Sequence, residues 1–247
     1  MARTMRLDLK IFELGLATSR TEAKNFVISG AVCVNGRVVT KPAFDVSEGD
    51  SVSVDTCSKK YVSRGGLKLE GALKEFCLDV KDALALDVGA SSGGFTDCLL
   101  KHGVARVVAV DSGSGQMAAS LRADDRVTVI ENFNARYMSP SDLPFAPSVA
   151  VMDVSFISAT LIIPAVYACL APGGDFICLV KPQFEVGRSG IGKGGIVKDE
   201  KLRKKALYDV ISFAQTRGFR AVNHIVSPIV GGDGNVEFLV HFRKDAT

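Results

Sequence analysis

Apolar and polar positions change their period along the chain. Leu7, Ile11, Phe12 and Leu14 recur at helical spacing, and Gly15 stops the run. Thr18-Ser19-Arg20-Thr21-Glu22 then supplies the caps of a second helix, with Ala23, Phe26, Val27 and Ile28 facing inward and Gly30 as its stop. The period shortens after that. Val32-Cys33-Val34 and Arg37-Val38-Val39 flank Asn35-Gly36, the preferred pair for a two-residue hairpin turn. A last short strand over residues 51–54 follows Glu48-Gly49-Asp50. Residues 1–58 read as a small α+β module and residues 59–64 as a linker, within a polar run that begins at 55.

From there to the C-terminus, residues 65–247, strand and helix patterns alternate. A helix over 66–76 carries Leu67, Leu69, Leu73 and Phe76. Apolar runs predict strands over 83–88, 106–110, 127–131, 149–153 and 175–180, with helices over 94–101, 116–121, 159–170 and 199–216. Two final strands, 220–227 and 236–243, make a hairpin-like return. Such alternation predicts an α/β domain, a parallel sheet with helices on both faces and ligands at the carboxyl ends of the strands.

Composition narrows the function class only a little. The chain has 247 residues, 47% hydrophobic, enough for one large domain and a small one. Net charge is +3, but its distribution is uneven: residues 1–68 carry eleven Lys and Arg against seven Asp and Glu, the remainder nineteen against twenty. The basic excess therefore sits in the N-terminal module, where it suits an anionic partner. Cys33, Cys57, Cys77, Cys98, Cys169 and Cys178 form no C-x-x-C pair and read as small core residues in a reducing compartment. No paired His or Cys stands at zinc-ligand spacing, so no metal is expected. The longest apolar run, 159–171, is short and holds Pro164, so it reads as a buried helix rather than a span. With no signal-peptide apolar region, the expectation is a cytoplasmic protein without membrane contact.

The most informative stretch is Asp87-Val88-Gly89-Ala90-Ser91-Ser92-Gly93-Gly94-Phe95. A strand that breaks through glycines into a helix presents backbone N–H groups to a ligand. Asp111 ends the next apolar run, where an acid suits the ribose diol of a nucleoside-containing cofactor. The spacing is not G-x-G-x-x-G. Its D-x-G-x-x-x-G-G-F form resembles a methyltransferase turn more than a dehydrogenase turn. On that reading, Asp87, Gly89, Ala90, Ser91, Gly93, Gly94, Phe95 and Asp111 hold the cofactor, with Asp153 at its border and Asn132 or Asn134 at the adenine edge.

Three further charges interrupt or close apolar strands: Asp153, Lys181 and Glu237. A fourth, Lys68, lies on the helix before the first strand. A charge in such a place needs a partner or a function, so these four are either two buried salt bridges or a catalytic set. The glycine-rich segment 182–198, with Arg188, Lys193 and Lys198, reads as a mobile loop near that site.

Two resemblances organise these readings. Ser19-Arg20-Thr21-Glu22-Ala23-Lys24 and Gly30-Ala31-Val32-Cys33-Val34-Asn35-Gly36 resemble the RNA-binding domain of small-subunit ribosomal protein S-four, the alpha-L motif. The resemblance implies that the second helix and its adjoining loop hold an RNA backbone. Arg20 and Lys24 lie one turn apart and share a face, with Arg6, Arg37 and Lys41 as further candidates. The Lys68, Asp153, Lys181 and Glu237 set is similar to the tetrad of FtsJ-related ribose methyltransferases. The segments Tyr61–Leu69, Asp87–Phe95, Asp153–Ser158 and Lys181–Glu185 resemble the TlyA family in particular. What this implies is a Rossmann-like, seven-stranded S-adenosylmethionine-dependent methyltransferase that methylates the 2′-hydroxyl of cytidine in ribosomal RNA, with rRNA or ribosomal subunits as partners. One departure stands out: Ser112-Gly113-Ser114-Gly115-Gln116 replaces the family's usual Val-Gly-Tyr-Gly-Gln, so an aromatic near the cofactor is missing. Three competing readings are a nicotinamide-dependent oxidoreductase, a non-enzymatic ribosome-assembly factor and a pore-forming haemolysin. The glycine spacing argues against the first, the complete tetrad against the second, and the lack of a membrane segment against the third.

Overall fold

The computed structural model describes residues 4–28, 30–54, 60–187, 190–192, 194–231 and 234–246. Cys57, Arg188 and Lys193, singled out above, lie outside the described residues.

The N-terminal module holds β1 (Thr4–Arg6), α1 (Leu7–Glu13), α2 (Arg20–Ile28), β2 (Val32–Val34), β3 (Arg37–Val38), β4 (Asp45–Ser47) and β5 (Val52–Val54). β2 lies between β3 and β5, antiparallel to both, and β1 pairs with β4. The Asn35-Gly36 turn forms as the residues demand, with φ of +51° and +74°. The Asn35 side chain then ties the turn to Asp50 and Ser51 at 2.7 and 2.9 Å. The core is Leu7, Ile11, Ala23, Val27, Val32 and Val46. Ile28, expected to face inward, is exposed, and so are Phe12 and Leu14 of the first helical run. The fully buried pairs stand four apart, Leu7 with Ile11 and Ala23 with Val27, and Phe26 packs partly buried beside the second pair. Strands β1 and β4 have no alternation long enough to be read, and the pattern missed them.

The second domain contains α3 (Gly65–Glu75), β6 (Leu84–Val88), α4 (Gly94–Lys101), β7 (Arg106–Val110), α5 (Ala119–Arg122), β8 (Val127–Ile130), β9 (Val149–Met152), α6 (Ile163–Cys169), β10 (Asp175–Val180), α7 (Pro182–Glu185), α8 (Glu200–Thr216), β11 (Phe219–Val226) and β12 (Phe238–Lys244). Seven strands form one sheet in the order β11-β12-β10-β9-β6-β7-β8. Strands β8, β7, β6, β9 and β10 run parallel, and β12 inserts antiparallel between β10 and β11. Apolar clusters cover both faces, one around Met152, Ile163, Phe176 and Phe242, the other around Leu69, Leu99, Ile177 and Leu239. Strands packed on both sides explain the unbroken apolar runs of the sequence. The order reverses between β6 and β9, and ligand crevices form at that switch point.

Four elements differ from the pattern. The helix expected over 116–121 begins only at Ala119, because Gly115 (φ +68°) and the extended Ala118 cannot join it. The helix expected over 159–170 splits into a 3-10 turn and α6, with Pro164 in the first turn of α6, where its missing N–H is harmless. Residues 182–185, read as loop, form α7 with Pro182 opening it. Glu237, placed within the last strand, stands one residue before β12.

Candidate active site

The turn after β6 is shaped by the chain's own close approaches. Gly89 has φ of +81°, and a Cβ there would collide with the carbonyl oxygen of Asp153. Gly93, at φ +94°, has a conformation that side chains disfavour, with the Leu121 side chain against it, and Gly94 has the Ser63 hydroxyl and the Gly66 backbone N against it. A side chain at Gly89 would push the turn off the loop after β9, while at Gly93 and Gly94 the Leu121 and Ser63 side chains would have to turn aside. Their glycine requirement is thus met inside the protein, and the turn they close is what faces the ligand.

Two acids frame this turn. Asp87 is fully buried in β6, and Thr96 donates to its Oδ2 at 2.6 Å, while Oδ1 has no partner. Burial pushes its carboxyl up to about 7 against the Thr96 hydrogen bond, with the charges of Asp153 and Asp111 adding to the rise. Asp111 follows β7 and accepts from the backbone N–H groups of Ser91 and Gly113, both at 2.7 Å. Its carboxylate is thereby fixed with lone pairs to spare.

Two cavities meet here. One, of about 460 Å³, is lined by Asp111, Gly113, Gln116, Phe133, Asn134 and Ile157. The other, of about 220 Å³, is lined by Arg64, Lys68, Ala90, Gly94, Phe95 and Lys181, with Ile28, Gly30 and Thr40 of the N-terminal module on its far wall. They share Gly89, Ser91, Asp153 and Ser155. Asp87 and Gly93 stand behind these walls rather than in them. Asn132, at φ +54°, is exposed and off the cavity, whose wall is Asn134. Asn134 Oδ1 accepts from Arg136 N at 3.1 Å. The larger chamber with a fixed carboxylate suits a nucleoside. The unsatisfied Asp87 oxygen behind the glycine turn suits a cationic amino acid moiety. The donor set therefore fits S-adenosylmethionine.

The four singled-out charges form two ion pairs; Lys68, Asp153 and Lys181 line the smaller cavity, and Glu237 stands behind Lys68. Lys181 Nζ lies 2.5 Å from Asp153 Oδ1, and Lys68 Nζ lies 2.5 Å from Glu237 Oε2. Lys68 and Glu237 are 7% and 2% exposed, so Glu237 backs Lys68 from inside, in a space kept open by Gly231. Burial would raise the Asp153 carboxyl, but the charges of Lys181 and Lys68 outweigh it and hold it below its usual range. Lys181 ends β10 and opens α7, and Lys68 lies in α3, so rigid elements carry both amines.

Several neighbours gave little signal in sequence. Ser155 Oγ accepts from Lys181 Nζ at 2.8 Å. Glu185, at the end of α7, accepts from Ser158 Oγ at 2.6 Å and Ala159 N at 2.8 Å, clamping the loop after β9 to the loop after β10. Burial raises its carboxyl despite these bonds. Phe156, at φ +64° and 92% exposed, stands at the cavity mouth with its ring 5.3 Å from that of Phe184. Buried Asn235 bonds Val197 N and Gly195 O at 3.0 and 2.9 Å, pinning part of the glycine-rich loop.

The basic candidates of the N-terminal module lie on its surface. Arg20 opens α2, and Lys24 follows one turn later; both are exposed, as are Arg37 and Lys41. Arg6 is engaged as a fork by Asp8, at 3.0 and 2.7 Å. Arg64 joins the two domains, donating to Gly30 O at 2.8 Å. Among the described residues, no helix is long and apolar enough to cross a membrane, and no group of three His, Cys, Asp or Glu could hold a metal.

A mixed sheet of this order, a glycine turn between a nucleoside-sized chamber and a lysine-lined cavity, and a basic module in front define a methyltransferase with an attached RNA-binding domain. The chain belongs to the FtsJ-like methyltransferase family, whose profile matches residues 61–244. Residues 5–52 match the S4 domain. The 16S/23S rRNA (cytidine-2′-O)-methyltransferase TlyA of Mycobacterium tuberculosis is 43% identical over 98% of this chain and 91% of its own length. Hemolysin A of Brachyspira hyodysenteriae is 45% identical over 96% of this chain and 99% of its own. A solved structure from Streptococcus thermophilus is 44% identical and superimposes with a TM-score of 0.78, covering all of this chain and 90% of that one.

Proposed function

We propose that this protein transfers the methyl group of S-adenosylmethionine to the 2′-hydroxyl of a cytidine ribose in ribosomal RNA. The observation that carries the reading is the meeting of Lys68, Asp153 and Lys181 on the smaller cavity, with Asp153 on the wall it shares with the nucleoside-sized one. Bound S-adenosylmethionine supplies an electrophilic methyl on a sulfonium, with a neutral thioether as leaving group. Asp111 holds the ribose of the cofactor, and Asp87 with the turn from Gly89 to Phe95 holds its amino acid end. Lys181, as a neutral amine, aligns the acceptor hydroxyl and takes its proton as the oxygen attacks. Asp153 orients Lys181, and Glu237 balances the charge of Lys68 beside it. The exposed ring of Phe156 offers a stacking face for a base outside a duplex. Arg20 and Lys24, with Arg6, Arg37 and Lys41, grip the RNA backbone. Mass-spectrometric mapping of ribose methylation in rRNA from cells with and without the protein tests this reading. A 2′-O-methylcytidine present only with the protein is the expected result, and identical maps would refute it.

A further inference from the structure

A primary amine at a reactive centre has to be aimed as well as positioned. A protonated lysine has three N–H donors; a neutral one has two N–H donors and a lone pair. Lys181 Nζ is engaged on two sides inside the protein. It forms an ion pair with Asp153 Oδ1 at 2.5 Å, without hydrogen-bond geometry, and donates a directional hydrogen bond to Ser155 Oγ at 2.8 Å. It also lines the smaller cavity. We propose that Ser155 is a positioning residue for Lys181. The Asp153 charge holds the amine in place, and the Ser155 hydroxyl takes one of its N–H groups and so sets the rotation of Nζ, which directs the lone pair of the neutral amine at the acceptor hydroxyl. The inference rests on the methyl-transfer reading for its catalytic consequence, but the contact between Ser155 and Lys181 is independent of it.

The hydroxyl can do this only if its own loop is held. Ser155 is exposed, with no packing of its own to fix it. The loop around it is tied once to β6 and twice to the segment that carries Lys181. Asp153 N bonds Val88 O at 2.9 Å, which extends the ladder past the end of β9. Glu185 accepts from Ser158 Oγ and Ala159 N, and the Phe156 and Phe184 rings face each other at 5.3 Å. Ser155 is thus suspended between fixed points, on the wall shared by both cavities. The other groups facing Nζ come from separate elements: Asp153 after β9, Lys68 on α3 with Glu237 behind it, and the Phe184 ring of α7 at 5.9 Å. Ser155 is the neutral acceptor in this set, and a neutral acceptor aims an ammonium without adding a charge to it.

A residue that acts through Lys181 has no effect of its own once Lys181 is gone. The experiment is done on the full chain, with Ser155→Ala, Ser155→Thr, Lys181→Ala and Ser155→Ala/Lys181→Ala side by side. The readout is single-turnover methylation of rRNA at saturating S-adenosylmethionine, with urea unfolding of each variant alongside.

Ser155→Ala is expected to slow transfer about ten- to a hundredfold. Ser155→Thr keeps the hydroxyl and should restore most of the rate, and adding Ser155→Ala to Lys181→Ala should slow transfer no further. A normal rate in Ser155→Ala overturns the proposal, as does a slowed Ser155→Ala that Ser155→Thr does not rescue, or a loss that adds in full to that of Lys181→Ala. If Lys181→Ala itself methylates rRNA at the normal rate, the catalytic reading of Lys181 fails instead.

Discussion

The two halves of the molecule use charge in opposite ways. In the N-terminal module Arg20, Lys24, Arg37 and Lys41 are all exposed on the surface. In the methyltransferase domain Lys68 is buried and Lys181 half-buried on the wall of a cavity, each against one carboxylate at 2.5 Å. An exposed cation attracts phosphate from any of several positions, is screened by salt and can be replaced by its neighbours. A buried one is expensive without its partner and acts only from where its element puts it. The first kind of site works by number and the second by placement. Single substitutions should therefore be severe in the second domain and mild in the first.

Lys181→Ala sets the upper limit of that contrast. Removing a positioned proton acceptor lowers the rate about 10²–10⁴-fold. Cofactor and RNA binding should persist, because neither is held by the amine. Arginine should not restore transfer, since a guanidinium does not give up its proton at working pH. Single-turnover transfer with parallel binding measurements checks this, and near-normal turnover in Lys181→Ala would remove the amine from the mechanism.

Glu237→Ala tests placement through stability. It strands the Lys68 ammonium in a site only 7% exposed. Breaking a buried pair from one side is destabilising by about 3–5 kcal/mol. Removing both ends together as Lys68→Met/Glu237→Leu should cost much less, because no uncompensated charge is left. Urea unfolding of the three proteins gives the comparison, and equal losses in single and double variants would show that the pair is not coupled.

The domain that works by placement was also the more legible one in sequence. Its strands, packed on both faces, appear as unbroken apolar runs, and a charge that ends such a run is conspicuous. Asp153, Lys181 and the Asp87–Phe95 turn were visible for that reason. What escaped had no contrast with its surroundings. Ser155 and Glu185 are polar residues in polar loops, and only the fold brings them to Lys181 and Ser158. Strands β1 and β4 are three residues each, too short to show a period. Ile28 continues an apolar cluster in sequence but sits about a quarter-turn from the face its neighbours bury.

Asp87 carries the contrast into pH. Its folded-state carboxyl titrates near 7, above the ordinary 3.8, so the folded protein holds a proton that the unfolded chain releases. The stability this group contributes is complete below about pH 4 and is lost as pH rises through about 7. Asp153, held low by its lysines, works with the opposite sign, contributing stability that disappears as pH falls below the usual carboxylate range. Asp87→Asn should remove the decline between pH 4 and 7, which chemical denaturation at several pH values will show. It should also flatten the rise in S-adenosylmethionine affinity expected through pH 7 as the carboxylate forms to face a cationic amino group. Calorimetric titrations that rise identically in wild type and Asp87→Asn would disconnect Asp87 from the cofactor.

The mildest effects belong to the exposed cations, and they should add. Arg20 and Lys24 share a face of α2, where each can meet one phosphate. A contact of that kind releases a condensed counterion, so each one lost should lower the slope of log affinity against log salt by about 0.7–0.9. Lys24→Gln alone leaves the other cations in place and should weaken rRNA binding only modestly at moderate salt. Arg20→Glu/Lys24→Glu reverses both and should weaken it well beyond the sum of two neutralisations, because repulsion is added to lost attraction. Neither variant touches the cavities around Lys181, so transfer at saturating RNA and S-adenosylmethionine affinity should stay at wild-type values. Arg6 should matter less than either, because Asp8 already occupies its guanidinium fork at 3.0 and 2.7 Å. Binding measured across a salt series separates these cases. An unchanged slope in Arg20→Glu/Lys24→Glu would move the RNA footprint off this helix, and a lost turnover at saturating RNA would mean the module does more than tether.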